Sequence, residues 1–169
     1  MILIVAGVSG CGKSTVGALL AGQLGWQFAD ADAFHPEANV AKMRAGIPLD
    51  DADREPWLRS VAAWMDAEIA EGRSAVLACS VLKRAYRDLL LNQRPSASAV
   101  FLVVPREELD RRLLTRTGHF FPEKLLDSQL QAVEPPAPDE RVLTVVEKGD
   151  AADTAAEIIA ALWPEGAPV

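Results

Sequence analysis

Ile2-Leu3-Ile4-Val5-Ala6-Gly7-Val8-Ser9-Gly10-Cys11-Gly12-Lys13-Ser14-Thr15 decides the fold. Its first five residues are a continuous apolar, largely β-branched run, the pattern of a strand buried on both faces in a parallel sheet. From Gly7 the chain matches G-x-x-x-x-G-K-[ST], and each position has a physical duty. Gly7, Gly10 and Gly12 permit backbone angles and close approaches that a side chain would block. The N–H groups of Val8, Ser9, Cys11 and their neighbours then turn inward. A helix starting near Lys13 adds its positive dipole end, so the loop is built to hold phosphate oxygens. Lys13 reaches the β- and γ-phosphates, the Ser14 hydroxyl ligates Mg²⁺, and Thr15 completes the motif. A strand before and a helix after is the context that supports this reading. It implies a nucleoside triphosphate and Mg²⁺, without naming a reaction.

Outward from this turn, strand and helix signals alternate. Gln27–Asp30, residues 75–79, residues 99–104 and Val142–Val146 read as further strands. Leu58, Val61, Ala62, Met65 and Ile69 mark one helical face, with Pro56 expected in the first turn. Leu109 and Leu113, with the pairs Glu107–Arg111 and Glu108–Arg112, mark another helix. Ala151–Leu162 reads as a last, alanine-rich one. This alternation predicts an α/β protein with a parallel sheet and right-handed crossovers. Residues 1–169 read as one domain, without internal repeats, and Pro135-Pro136-Ala137-Pro138 as a stiff surface connection.

The 169 residues include 17 Lys+Arg and 24 Asp+Glu, a net charge of −7. That balance argues against nucleic acid and anionic membrane as partners, since both demand a basic face. An anionic substrate must be held by locally placed Arg and Lys. The two cysteines, Cys11 and Cys79, are no disulfide framework and fit a reducing compartment. No secretory leader and no membrane span is expected, so the predicted location is the cytoplasm. Two histidines without paired cysteines make a zinc site an unfavoured reading. Cys11, near a helix N-terminus, is a candidate for a raised thiolate fraction and oxidation sensitivity.

Many P-loop enzymes end a later apolar strand in an acid that organises Mg²⁺. Here residues 75–79 run into Ser80, and the acids stand instead in Asp30-Ala31-Asp32. Two apart on a strand, their carboxylates would point the same way. One then faces the water shell of Mg²⁺, the other an incoming hydroxyl. No Asn-Lys-x-Asp segment for reading guanine occurs.

The ordered segments Asp30-Ala31-Asp32-Ala33-Phe34-His35-Pro36, Lys42-Met43-Arg44-Ala45-Gly46-Ile47-Pro48-Leu49 and Asp51-Ala52-Asp53-Arg54-Glu55-Pro56-Trp57-Leu58 give the chain a resemblance to the gluconate kinase (gluconokinase) family of P-loop small-molecule kinases. Cys79-Ser80-Val81-Leu82-Lys83-Arg84-Ala85-Tyr86-Arg87-Asp88, Gly118-His119-Phe120-Phe121 and Ser128-Gln129-Leu130-Gln131-Ala132-Val133-Glu134-Pro135 carry it further. The resemblance covers residues 4 to about 146. The departures are small: Cys11, Val81 and Val133 stand where Ser or Ala, Ala and Leu are more familiar. The resemblance implies a three-layer fold like that of nucleoside-monophosphate kinases. Its five-stranded parallel sheet would have the order 2-3-1-4-5, with a lid at about residues 117–135. It further implies ATP-dependent phosphorylation of D-gluconate to 6-phosphogluconate, often by a homodimer.

Roles follow for individual residues. By analogy with related kinases, Asp32 accepts or orients the substrate's primary hydroxyl, and Asp30 lies nearer Mg²⁺ through water. Positioning outweighs base strength in a loose phosphoryl-transfer transition state. His35, before Pro36, is a helix-start residue or a hydrogen-bond partner of the polyol. Arg54 lies in the acid-rich segment 50–55, expected to be a turn, where a local salt bridge competes with a bidentate hold on the gluconate carboxylate. Lys83 and Arg87 are further candidate holders. As like charges at i, i+4 on one helix face, they need an anion, from neighbours such as Asp88 or from a ligand. Arg112 and Arg116 pose the same problem. Glu108 can pair with Arg112, which is assigned to the nucleotide, while Arg116 is assigned to the transferring phosphoryl group beside a glycine-hinged segment containing His119. His119 and Gln129 are candidate contacts of the sugar acid. Trp26, Trp57, Trp64 and Trp163 read as core or interface aromatics. Two alternatives stay open: a kinase for shikimate or another small hydroxy acid, and a nucleotide-binding regulatory protein with no acceptor.

Overall fold

Strand β1 (Ile2–Ala6) is buried along its whole length at the centre of the sheet. In the computed structural model, which describes residues 1–115, 123–147 and 149–166, it leads through the glycine-rich turn into helix α1 (Lys13–Leu24). Strand β2 (Gln27–Asp30) and a 3₁₀ turn, Ala31–Phe34, follow. Helices α2 (Glu37–Arg44) and α3 (Asp51–Ala70) come before β3 (Ala75–Ala78). Next come α4 (Arg84–Leu91), β4 (Ala97–Val103), α5 (Arg106–Thr115) and α6 (Glu123–Ala132). Strand β5 (Val142–Val146) and α7 (Ala151–Leu162) end the series. The five strands lie in the order β2-β3-β1-β4-β5, as expected. Every adjacent pair is parallel, with Ile4 facing Leu77 on one side and Ala99 on the other.

Position in the sheet explains the composition of the strands. β1, β3 and most of β4 are covered on both faces and read as unbroken apolar runs. The edge strands β2 and β5 are partly exposed. Helix α7 packs on α1, closed at one end by an edge-to-face contact of Trp26 with Trp163 at 5.7 Å. The sheet order reverses across β1, so the loops leaving β1 and its neighbours open a crevice at their carboxyl ends, where ligands bind in open parallel sheets.

Helix α3 starts earlier than the sequence pattern suggests. The acid-rich segment is its first turn, because Asp50 and Asp53 form a reciprocal capping box. The Asp50 carboxylate accepts from the Asp53 N–H at 2.8 Å, and Asp53 accepts from the Asp50 N–H at 3.1 Å. Pro56 therefore sits inside the helix rather than in its first turn. A proline there has no N–H to give to the carbonyl four residues back. Lys42 from α2 binds both oxygens of Asp53, at 2.6 and 2.7 Å, and ties the two helices together.

Arg87 does not share a helix face with Lys83, because Lys83 is the residue that precedes α4. Its side chain is 1% exposed and forks onto Glu140 at 2.6 and 2.9 Å, with further bonds to the carbonyls of Val81 and Leu82. The anion that offsets it is thus internal to the fold, and the expected hold on a ligand carboxylate is replaced by a clamp between α4 and the segment before β5. Replacing Arg87 with Met strands the Glu140 carboxylate in the interior and is expected to cost about 3–5 kcal/mol. Denaturant unfolding measures it, and apolar replacement of both residues is expected to recover most of the loss.

Candidate active site

The turn after β1 is a backbone cradle. Gly7 has φ +137°, and a Cβ there would lie 2.6 Å from Cys11 Sγ and 2.8 Å from the Leu102 carbonyl oxygen. A side chain would collide with β4 itself. Gly12 takes the left-handed conformation at the N-cap of α1, and no side chain caps that end. The N–H groups of the first turn stay available to an anion, which the helix dipole favours. Lys13 Nζ donates to the Val8 carbonyl at 2.9 Å and folds across the cradle. Burial pushes the Cys11 thiol up, against the opposing influence of Lys13. The expected rise in thiolate is therefore reversed: this sulfur is a neutral packing group.

Arg112 on α5 lies against the cradle, its Nη1 3.8 Å from where a Gly12 Cβ would stand. Two carboxylates hold it: Glu147 after β5 at 2.6 Å and Glu108 at 2.7 Å. Glu108 also takes Arg111, at 2.6 Å. Glu147, with a side chain 5% exposed, was not singled out from the sequence. Only the closure of β5 onto β4 brings it beside Gly12, and nothing local signals that.

The two acids of the Asp30-Ala31-Asp32 segment are not displayed side by side on a strand. Asp30 ends β2 and Asp32 lies in the 3₁₀ turn, whose start Asp30 caps by accepting the Asp32 N–H at 3.0 Å. The other oxygen of Asp30 accepts from the Ser14 hydroxyl at 2.7 Å. A hydroxyl and a carboxylate oxygen side by side at the cradle mouth suit Mg²⁺, which takes few protein ligands and keeps water and phosphate oxygens. Asp32 projects outward, its side chain 75% exposed, 3.9 Å from His35 Nε2.

Two adjoining pockets open beside the cradle. The smaller, about 80 Å³, includes Ser9, Asp32, His35, Ile47, Trp57, Ser80, Ser128 and Gln129 in its walls. The larger, about 480 Å³, runs past Asp50, Asp51, Leu82, Lys83 and Tyr86. Leu49, Arg54, Ser128 and Gln129 line both. Arg54 Nε donates to the Leu49 carbonyl at 3.3 Å, and its two Nη atoms take no partner among the described residues. Lys83 is neutralised by Asp51, at 2.6 and 2.9 Å, and Asp51 also accepts from the Tyr86 hydroxyl. Gln129 Oε1 accepts the Ser9 N–H at 2.7 Å. Asp32, His35, Arg54, Lys83 and Gln129 are thus brought together along the pockets, while Arg87 is not. Arg116 and His119 lie outside the described residues. Trp57, Ser80, Ser128 and Tyr86 join the walls without having been assigned there from the sequence. Trp57 had read as core, and it is both: its indole N–H donates to the Ala31 carbonyl at 2.7 Å while its ring stacks on His35 at 4.4 Å.

A sequence model described as "AAA domain" matches residues 2–136. The gluconokinase of Gluconobacter oxydans (strain 621H) is 48% identical over 143 residues, which make up 85% of this chain and 80% of that one. This chain belongs to the gluconokinase family. A solved gluconokinase from Sinorhizobium meliloti 1021 superimposes with a TM-score of 0.84 at 40% identity, covering 97% of this chain and 92% of the other. An unliganded sugar kinase from Janibacter sp. HTCC2649 gives 0.90 at 43% identity, over 95% and 93%. The P-loop and the sheet order are those of a kinase, and a gluconokinase relationship extends over nearly the whole chain.

In this chain the state of His35 follows from its neighbours. The Asn39 amide donates to the Asp53 carbonyl at 2.8 Å, which fixes its orientation, and the same nitrogen meets His35 Nδ1 at 3.3 Å. Nδ1 must accept, so the proton of the neutral ring sits on Nε2, facing Asp32. Burial, with the nearby Arg54 charge, lowers the His35 pKa to about 4. The folded value lies below the unfolded one, near 6.5. His35 therefore contributes stability above pH 6.5 that is lost as pH falls toward 4. An NMR titration is expected to show a neutral His35 ring at pH 6, and a midpoint near 6.5 would contradict the site drawn above.

Proposed function

We propose that the chain transfers the γ-phosphoryl group of ATP to the primary hydroxyl of D-gluconate, giving ADP and 6-phospho-D-gluconate. The observation that carries this reading is Arg54. Arg54 lines the wall shared by two pockets, with Asp32 in the pocket that reaches the cradle. A planar fork whose two Nη atoms take no partner among the described residues suits one carboxylate, and the neighbouring hydroxyls, amide and imidazole suit a chain of alcohols. Lys83, already matched by Asp51, is the weaker holder of the substrate's charge.

In this reading the cradle and Lys13 hold the phosphates, Lys13 leaving the Val8 carbonyl for them. Arg112 flanks the nucleotide at Gly12. Ser14, with Asp30 through water, would hold Mg²⁺, which supplies charge neutralisation on the β- and γ-phosphates. Asp32 orients the primary hydroxyl and receives its proton, with the neutral His35 ring 3.9 Å from its carboxylate. The relatives named gluconokinase support this acceptor. The homodimer rests on the family resemblance alone, and the cytoplasmic location on two buried, unpaired cysteines.

Steady-state ADP release measured across D-gluconate, other sugar acids, shikimate and nucleoside monophosphates is expected to favour D-gluconate. Release that is insensitive to any acceptor would reject the reading. Lys13→Ala is expected to abolish turnover while leaving the fold. Asp32→Asn is expected to lower kcat by about 10²-fold or more with nucleotide affinity kept. Arg54→Ala is expected to raise the KM for gluconate by at least about tenfold, the scale of a lost charge-assisted bond. An unchanged KM would move the carboxylate elsewhere.

A further inference from the structure

Gln129 stands on α6, 120 residues from the P-loop, yet joins it twice. Its Oε1 accepts the Ser9 N–H at 2.7 Å, and its Nε2 donates to Ser9 Oγ at 3.3 Å. A backbone N–H can only donate, which settles which end of the amide is oxygen. The residue is partly buried and lines both pockets of the acceptor site. A side-chain amide has two N–H donors and two lone pairs on oxygen. The contacts with Ser9 use one of each. One donor and one lone pair remain, and among the described residues nothing takes them. An alcohol both donates and accepts, so the unused valences match one polyol hydroxyl.

We propose that Gln129 is a positioning residue that couples the acceptor to the phosphate cradle: one face of its amide holds Ser9 of the P-loop, and the other takes a hydroxyl of the acceptor polyol. The arrangement sets the distance between the acceptor and the loop that carries the γ-phosphate. It also gives α6 a reason to lie where it does. Near-attack geometry is sensitive to displacements of about 1 Å, and a single rigid amide bridging both partners limits that displacement. An acceptor that cannot reach the amide leaves the γ-phosphate without an aligned alcohol, and water then competes for it. The proposal rests on the gluconate reading for the identity of the acceptor, though not for the bond to Ser9.

Two variants separate the two faces. Gln129→Ala removes both. It is expected to raise the KM for gluconate about tenfold, the scale of one to two lost hydrogen bonds. The ratio of 6-phosphogluconate formed to ATP consumed is expected to fall below one, with nucleotide affinity in the absence of acceptor staying within about threefold. Gln129→Glu keeps the lone pairs that hold the Ser9 N–H, loses the donors, and places an anion beside the cradle. It is expected to weaken ADP and ATP binding about tenfold, measured by calorimetric titration without acceptor. Wild-type KM and full coupling in Gln129→Ala would overturn the proposal. A parallel loss of thermal stability, nucleotide affinity and both kinetic constants would do the same, marking a merely structural bond. If wild-type protein turns over no sugar acid, the acceptor reading fails. The nucleotide titrations of Gln129→Glu then still decide the Ser9 contact, unchanged affinity counting against it.

Discussion

The rest of the molecule depends on a backbone turn that leaves the first donors of the helix after it without a side-chain cap. Between a fully buried strand and a helix, the segment from Gly7 to Gly12 turns back on itself, Ser9 giving its N–H to Gln129 and Cys11 its own to the Val8 carbonyl, and no side chain caps the helix that follows. Unpaired backbone donors are costly away from water, so such a turn persists only where its surroundings leave it no alternative. Here the constraint is steric. Gly7 lies so close to the Leu102 carbonyl and to Cys11 that a single added carbon would not fit. The sheet order that places β4 against β1 is therefore also what shapes the cradle, and fold and phosphate site are one physical problem.

An acidic chain that binds an anion must manage its cations sparingly. Arg73, Arg84, Arg87 and Arg94 are all matched by carboxylates, and Lys42 and Lys83 by aspartates. Arg112 is matched by two. Against that background Arg54 stands out: its neighbours Asp50, Asp51 and Asp53 are each engaged in a cap or an ion pair with another group. The capping box and the Lys42 and Lys83 pairs thus divert three aspartates from the arginine among them. A cluster that looks self-neutralising in sequence becomes, once helical, a device for leaving one guanidinium open to the pockets.

The fold and the cradle were legible because their signals are local. An apolar run, glycines at fixed spacing and 3.6-residue periodicity all act over a few residues, and the five strands fall where that pattern puts them. The sheet order came from family resemblance, since periodicity does not order parallel strands. What failed to read was whatever depends on a partner distant in sequence. Arg87 looked available for a ligand because Glu140, 53 residues on, is invisible to any local pattern. Cys11 looked activated because a helix N-terminus lowers a thiol pKa, and only the fold shows that burial overrides it. Asp30 and Asp32 were placed on one strand face by a period of two that ended two residues too early, when the chain tightened into a 3₁₀ turn.

Asp30 illustrates why that last error matters mechanistically. Had both acids stayed on the strand, they would have been equivalent carboxylates competing for one cation. The 3₁₀ turn makes them different. One oxygen of Asp30 is committed to the Asp32 N–H and the other to the Ser14 hydroxyl, so this carboxylate is fixed to the cradle. Asp32, carried outward by the turn, meets the pocket wall and the imidazole of His35 instead. Two chemically identical side chains acquire separate surroundings through a change of backbone conformation between them. The sharp turn after β2 therefore shapes the surroundings of both carboxylates, as the glycines shape the cradle it faces.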